Sequence, residues 1–455
     1  MKRLTTLISL MTVLTCMSLA EVQKMDRLPA LFMVRVETVQ RTEGRNEKYI
    51  QKEYLITANE AVNTELRAVA DELDACLTPL IRTEPNGNAI NYSRLDIETS
   101  YARTGQSWLS TLTIARVSWR REQTELDFRA TVYDLGNGQR IGLRDLFPQE
   151  SPAWEMMSAR AKEHLTGVFP SEERDSEKIN ALCSLPALQD AAFSLGGAEL
   201  TLHFLARDIG LSEPGMIHVR FFYPEFQGMM TPEGLRGTDN RHWKMVALTF
   251  DDGPRYFNSL RTLTSLRQGG ARATFFTVGH LYEEGSWILR REFDANHLVA
   301  NHSFSHKSGY VLSAEAMQRQ IAFSNAILLN ITGEPAKFFR APGGLWPPWQ
   351  EKGVGLPIIQ WSVDTYDYSA RSTKESILSI IREFTCHGDM ILLHDSRTNT
   401  PLAVPLVAHY LADKAFLMVS VEELAWAEGV HMEPNVVYAR FLDGRYDERR
   451  DSNLN

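Results

Sequence analysis

From residue 244 onward the chain alternates between two patterns. Short apolar runs at 245–250, 272–278, 297–301, 337–340, 357–363, 389–393 and 416–419 read as strands, with helical patterns between most of them. Ser372 and Glu375 form a capping box ahead of Ile377, Leu378, Ile380, Ile381 and Phe384, and Ser313 with Glu315 starts a helix over 314–330. Alternation of this kind predicts an α/β arrangement with a parallel sheet, open or closed to a barrel, because parallel neighbours need a crossover between them. In such folds reactive groups collect at the carboxyl ends of the strands.

The strand ends bear that expectation out in their chemistry. The first run ends in "DDG", Asp251 and Asp252; the third in "NHSFSH", with His302 and His306. The fourth ends in "RAPGG", with Arg340 and Gly343; the fifth in "DTYDY", with Asp364, Asp367 and Tyr368; the sixth in His394-Asp395. Taken singly, a DDG turn, two histidines four apart and an arginine before a proline are ordinary features. Five ionisable strand ends facing one mouth are not. Cys386 and His387 precede a strand and read as packing.

Two imidazoles and one carboxylate make a facial ligand set for a divalent metal with positions left open. His302, His306 and one of the pair Asp251/Asp252 fit it. The second carboxylate is then free to accept a proton from water, with Arg340 holding it ionised, and His394 is placed to protonate a leaving group. A non-haem iron oxygenase also uses two histidines and a carboxylate. It has no need of a base, an arginine and an acid beside them.

Before residue 228 the pattern is α+β. Val62, Leu66, Val69, Leu73, Leu77 and Leu80 share a helical face; 108–119 and 125–135 read as a hairpin; a helical stretch near 151–168 precedes strands 198–206 and 216–223. A seam without apolar period, rich in Gly, Pro, Thr and charge, spans 228–243. At 455 residues, two or three domains are expected, and 44% hydrophobic content makes them globular. The net charge is −9 with no long basic run, which excludes a nucleic-acid surface.

Lys2 and Arg3, the apolar stretch to Leu14 and Ser18-Leu19-Ala20 read as a signal peptide cleaved after Ala20. The reading makes the protein exported, to a periplasm, a cell envelope or the medium, with no transmembrane span after cleavage. The other reading of that stretch is an uncleaved anchor. Cys16 leaves with the signal, and of Cys76, Cys183 and Cys386 an odd number cannot fully pair. Cys76 with Cys183 is one option; small buried thiols are the other.

The strand-end residues, in their order, resemble the polysaccharide deacetylases, also called the NodB-homology domain or carbohydrate esterase family 4. The resemblance spans residues 244 to 428 and includes "ARATFFTVG", "TGEPAKFFRAPGG" and "GDMILLHDS". It implies a distorted (β/α) barrel with fewer than eight strands. It implies Asp251 as catalytic base, Asp252, His302 and His306 as metal ligands, and Arg340 steadying the base. Gly343 would donate its N–H to the oxyanion, Asp367 would tune the acid His394, and Leu392 would line the acetyl pocket. The metal is zinc by this resemblance, with cobalt or manganese as alternatives. The implied reaction is metal-assisted hydrolysis of a sugar N-acetyl group, with water on the metal as nucleophile.

Two positions depart from the family pattern. Gly343 stands where an aromatic residue is common, and Tyr368 where the fourth motif usually has Trp. Both bear on sugar specificity. Trp346 and Trp349, in "GGLWPPW", either stack on sugar rings or pack around two prolines.

The N-terminal half is similar to an envelope domain of lysozyme-sensing anti-sigma factors, through "DLGNGQRIGLRDLF" (134–147) and "LTLHFLARDIGLSEPGMIHVRFFYPEF" (200–226). That domain precedes the deacetylase in the PdaC type of peptidoglycan deacetylase. The implied organisation is a signal peptide 1–20, an α+β envelope domain 21–235, a deacetylase domain 244–432 and a polar tail 433–455. Peptidoglycan is the favoured substrate, with chitin oligomers and acetyl-xylan as alternatives. A reading of another class makes the protein a binder or sensor of peptidoglycan or of a lysozyme-like protein.

Overall fold

The computed structural model describes residues 24–43, 48–81, 93–119, 122–170, 174–344 and 353–447. The signal segment 1–20 lies outside them. Among the described residues, no helix is long and apolar enough to cross a membrane.

The first half is built on a six-stranded sheet, β1 Arg35–Glu43, β2 Lys48–Ile56, β3 Ser93–Thr104, β4 Trp108–Trp119, β5 Glu122–Asp134 and β6 Gln139–Ile141, paired in chain order. All its pairs are antiparallel except β2 with β3. The parallel pair is possible because helix α1, Glu60–Leu77, makes the crossover. Asn59 caps α1 by accepting from the N–H groups of Ala61 and Val62, and Val62, Leu66, Ala70, Leu73 and Leu77 form its buried face. Leu80 is not on that face. The helix stops at Leu77, the Pro79 turn follows, and Leu80 points to solvent. Helix α2, Ala153–Gly167, packs beside a smaller antiparallel sheet, β7 Phe193–Leu195, β8 Glu199–Leu205 and β9 Met216–Phe222.

The expected seam is a packed junction. Thr231 caps a short helix, α3 Pro232–Thr238, by accepting from Gly234 N–H. A Cβ on Gly237 would stand 2.1 Å from the Trp108 ring, and one on Gly234 would stand 2.6 Å from the Leu146 carbonyl, so close approach rather than flexibility explains these glycines. Trp243 is fully buried, and Asn240 bonds Gly105 N–H and the Gly197 carbonyl.

In the second half the strands β10 Lys244–Gly253, β11 Thr274–Thr277, β12 Leu298–Asn301, β13 Ile358–Ile359, β14 Val363–Asp364, β15 Met390–His394, β16 Phe416–Val419 and β17 Val437–Tyr438 are joined by parallel pairings. The order is β12-β11-β10-β15-β14, with β16 also on β10. Single bridges continue from Asn301 to Phe339 and from Phe339 to Ile358. The path therefore returns to the stretch of chain that holds β14. Helices α4 Tyr256–Gly269, α5 Tyr282–Asp294, α6 Ala314–Thr332, α7 Lys374–Phe384 and α8 Thr400–Asp413 make the connections.

Period-2 alternation in β10 sorts its residues. Val246, Leu248 and Phe250 pack with residues of α4, α7 and α8, while Thr249 and Asp251 take the opposite face. Met245 and Ala247 join Leu55, Val62, Tyr101 and Tyr133 of the first half in one core. The first half thus packs on the amino-terminal part of β10, away from its carboxylates.

Several expectations need correction. The run 337–340 forms no strand, only the two bridges at Phe339. The run 357–363 breaks into β13 and β14, because Arg340 takes the carbonyls of Ile359 and Gln360 that a ladder would use. The cap of α7 is Thr373 with Ser376, not Ser372 with Glu375. The polar tail is not a free tail in its first part. β17 pairs with β13, Tyr438 and Phe441 are buried, and 440–442 forms a hairpin with 445–447. Apolar residues spaced among charges carry that packing. Cys76, Cys183 and Cys386 are all free thiols, so Cys76 and Cys183 do not pair.

Candidate active site

Asp251 ends the inward face of β10, and the parallel register sets it abreast of His394 on β15. Its Oδ1 accepts from Arg340 Nη1 at 2.7 Å, and the same nitrogen donates to Thr249 Oγ1 at 2.9 Å. Arg340 is fully buried. Its Nε and Nη2 donate to the Ile359 and Gln360 carbonyls, and its guanidinium lies 4.0 Å from the Phe276 ring centroid. Burial pulls the guanidinium pKa down, and Asp251 works against that. A planar donor group whose three nitrogens all donate holds a carboxylate in one orientation.

Asp252 turns away from its neighbour because its backbone is left-handed, with φ 71°. Ser303 and His306 are also left-handed, at 66° and 54°. Such non-glycine conformations cost on the order of 1–3 kcal/mol each and cluster at functional sites. Here they bring Asp252, His302 and His306 together, with one ligand atom from each lying within 4.8 Å of the others.

The pieces suit a metal ion. His302 is buried, and its Nδ1 donates to the Arg340 carbonyl at 2.8 Å, which leaves Nε2 as the ring's lone pair. That Nε2 is 3.7 Å from Asp252 Oδ1. His306 Nε2 is 2.9 Å from the same oxygen, yet Asp252 Oδ1 is buried without an aligned hydrogen bond. Ligands on bonds of ~2.0–2.1 Å around a tetrahedral zinc stand roughly 3.3 Å apart. The donor set and spacing therefore fit a zinc-like ion. Asp252 Oδ2 accepts from Ser396 Oγ at 2.8 Å, and the neighbouring imidazoles outweigh burial in holding its pKa well below the carboxylate range.

His394 is held by Asp367. Its Nδ1 is 2.7 Å from Asp367 Oδ1, and its backbone N–H donates to Asp367 Oδ2 at 2.7 Å. Thr400 Oγ1 also donates to that buried carboxylate. Burial opposes a charge on His394, but Asp367, Asp251 and Asp252 together raise its pKa above the usual histidine value.

With the ligand set, the buried acid–arginine pair and the oriented histidine in place, the matching family can be stated. Residues 238–350 match the family pattern described as polysaccharide deacetylase. The chain carries a polysaccharide deacetylase domain. It is 30% identical over 303 residues to a peptidoglycan-N-acetylglucosamine deacetylase, PgdA, of Listeria monocytogenes, covering 64% of this chain and 63% of the relative. It is 29% identical over 181 residues to the peptidoglycan-N-acetylmuramic acid deacetylase PdaC of Bacillus subtilis, covering 40% of this chain and 38% of the relative. The chain thus spans less than two thirds of either relative's length. Among solved structures, a family 4 carbohydrate esterase from Streptomyces lividans is 32% identical, covering 38% of this chain and 91% of its own, with a TM-score of 0.36.

Of the remaining expected residues, Leu392 and Tyr368 sit beside this cluster. Leu392 is buried on the same inward face, in register with Thr249. Tyr368 stands at the rim, its ring centroid 5.4 Å from that of His394 and its hydroxyl 3.2 Å from Asp364 Oδ2. Asp364 has a pKa raised by burial. Gly343, with φ 69°, is the exposed residue of the turn Pro342–Gly344, in which Pro342 and Gly344 are buried. Trp346 and Trp349 fall outside the described residues. His387 accepts from Met245 N–H and pairs with Glu428, a packing role.

Three residues escaped the sequence reading, and a fourth was named there without a role. Thr249, Ser396 and Thr400 anchor Asp251's arginine, Asp252 and Asp367 respectively; polar residues beside the motifs were the only signal. Asp395 is the fourth. It is fully buried beneath Gly253, accepts from Ser259 Oγ, and has a pKa pushed up to about 7 by burial.

Proposed function

We propose that this protein is an exported, metal-dependent deacetylase that hydrolyses N-acetyl groups on a cell-wall glycan, with peptidoglycan the favoured substrate. The observation that carries the reading is the convergence of three units on one mouth: Asp251 with Arg340, the triad Asp252, His302 and His306, and His394 with Asp367. The Listeria relative, named for peptidoglycan and matched over 64% of this chain, supports that substrate, while other relatives are named for chitooligosaccharides and xylan. The returning path of parallel pairings supports the distorted barrel.

A divalent ion held by Asp252, His302 and His306, with zinc favoured over cobalt or manganese, would polarise the acetyl carbonyl and acidify water. Asp251, held in one orientation by Arg340, takes a proton from water as its oxygen adds to the carbonyl carbon. Gly343's N–H donates to the developing oxyanion. His394, its Nδ1 bonded to Asp367, presents Nε2 to the departing nitrogen and protonates it. The carbon–nitrogen bond breaks, acetate leaves, and the sugar retains a free amine. Leu392 gives the acetyl methyl an apolar wall, and Tyr368 meets the sugar at the rim.

The test is acetate release by purified protein with zinc, on peptidoglycan, muropeptides, chitin oligomers and acetyl-xylan in parallel. Asp251→Asn serves as the control. Release from peptidoglycan that the variant abolishes is the expected result. No release from any substrate by metal-loaded protein would overturn the reading.

A further inference from the structure

The two adjacent aspartates are held by different kinds of donor. Asp251 takes a guanidinium, that of Arg340, at 2.7 Å. Asp252 takes a neutral hydroxyl: Ser396 Oγ donates to its Oδ2 at 2.8 Å. The difference matters for a group that must meet a cation. A guanidinium offsets the carboxylate's charge and competes with an ion for it, whereas a hydroxyl fixes the direction and leaves the charge in place.

The hydroxyl also sorts the two oxygens of Asp252. Oδ2 is the capped one. Oδ1 is buried without an aligned hydrogen bond and lies 2.9 Å from His306 Nε2 and 3.7 Å from His302 Nε2. A carboxylate free to turn can offer both oxygens to one ion. With Oδ2 engaged by Ser396, Oδ1 is the oxygen left to the two imidazoles. One oxygen and two nitrogens keep positions open for water and a carbonyl, which a second oxygen would fill.

Ser396 is itself held from both sides. The register of β10 with β15 runs one residue past His394, where Asp395 N–H donates to the Asp251 carbonyl at 2.8 Å. The Asp395 side chain is fully buried and accepts from Ser259 Oγ, which in turn accepts from Arg255 N–H at 2.8 Å. Beyond Ser396, the Arg397 carbonyl accepts from Asn258 Nδ2 at 3.3 Å. The segment 394–397 is therefore fastened to the stretch 251–259 before and after Ser396, and its hydroxyl is kept over Asp252.

We propose that Ser396 is a positioning residue for the metal site: it caps Asp252 Oδ2 and so commits that carboxylate to an ion through Oδ1. The inference rests on Asp252, His302 and His306 being the metal site of the proposed function. Zinc titration of the full chain, stripped of metal and competed against a chromophoric chelator, tests it without any substrate. Ser396→Ala should weaken zinc binding about tenfold or more, while Ser396→Thr, which keeps the hydroxyl, should stay within about twofold of the parent. Thermal melts of the metal-free variants separate this from a purely structural role, because lost packing alone lowers the melt and leaves the zinc affinity of the folded protein unchanged. Asp252→Ala is the reference and should lose the zinc site altogether. Full zinc affinity in Ser396→Ala, beside its loss in Asp252→Ala, would overturn the role of Ser396 alone. Ser396→Thr binding as weakly as Ser396→Ala would overturn it too, since the hydroxyl would then not be the cause. Full affinity in Asp252→Ala would overturn the site itself and this inference with it.

Discussion

The molecule buries charge in two places, and they are built on different plans. In the cleft two pairs are dedicated, Asp251 with Arg340 and Asp367 with His394, while Asp252 lies between two imidazoles. Between the halves, charges are shared in a chain running from Glu53 through Arg267 and Glu98 to Arg116. Dedicated pairing fixes the direction of a group that must meet a substrate. Shared pairing lowers the cost of bringing two surfaces together. A buried pair is weak evidence for net stability, but removing one partner is expensive in either plan.

The difference predicts that damage in the cleft appears in chemistry and damage at the junction appears in stability. The largest effect should come from Asp251→Asn, about 10²–10⁴-fold in kcat with metal content retained. Asp252→Ala should instead lose the metal itself, read by elemental analysis. If both variants lost metal equally, the division of labour between the adjacent aspartates would fail.

Arg340→Met strands Asp251 in the interior. A stability loss of roughly 3–5 kcal/mol is expected, together with a fall in kcat. Glu53→Gln makes the matching cut at the junction. It should lower the unfolding free energy by about 3 kcal/mol and leave kcat per folded molecule unchanged. A fall in kcat there would break the comparison.

These four positions also show how far the sequence could be read. Asp251, Asp252, His302 and His394 were legible because parallel strands deliver the residues at their ends to one mouth, and His306 and Arg340 follow β12 and the Phe339 bridges to the same place. The pair Glu53–Arg267 was not, since its members are 214 positions apart and sit on elements with no motif. Position 337–340 misled because Phe338 and Phe339 ahead of Arg340 look like a strand, whereas only Phe339 bridges its neighbours; 357–363 misled because the Arg340 guanidinium claims the carbonyls of Ile359 and Gln360. The seam misled because glycine and proline there serve close packing against Trp108 and Leu146.

Smaller effects sharpen the cleft side. In the proposed reaction His394 acts protonated, so its contribution is full below its raised pKa and is lost as pH climbs through it. Asp367→Asn removes one cause of that elevation. The alkaline limb of the kcat profile should move to lower pH, and an unmoved limb would assign it to another group. Tyr368→Phe, at the rim, should change KM by only about twofold, consistent with an exposed hydrogen bond worth ~0.5 kcal/mol or less.

Arg340 is the feature with the widest reach. Its side chain grips Thr249, Asp251 and the carbonyls of Ile359 and Gln360, while its own carbonyl receives the proton of His302. The base and a candidate ligand therefore hang from one residue on opposite ends of its short span. When the wall of the cleft breathes, both are carried the same way, and their spacing changes less than their positions do. A site built so can sit in a moving scaffold and still keep its internal dimensions, and a designer who wished to widen the distance between proton acceptor and ion would have to replace this one residue before any other.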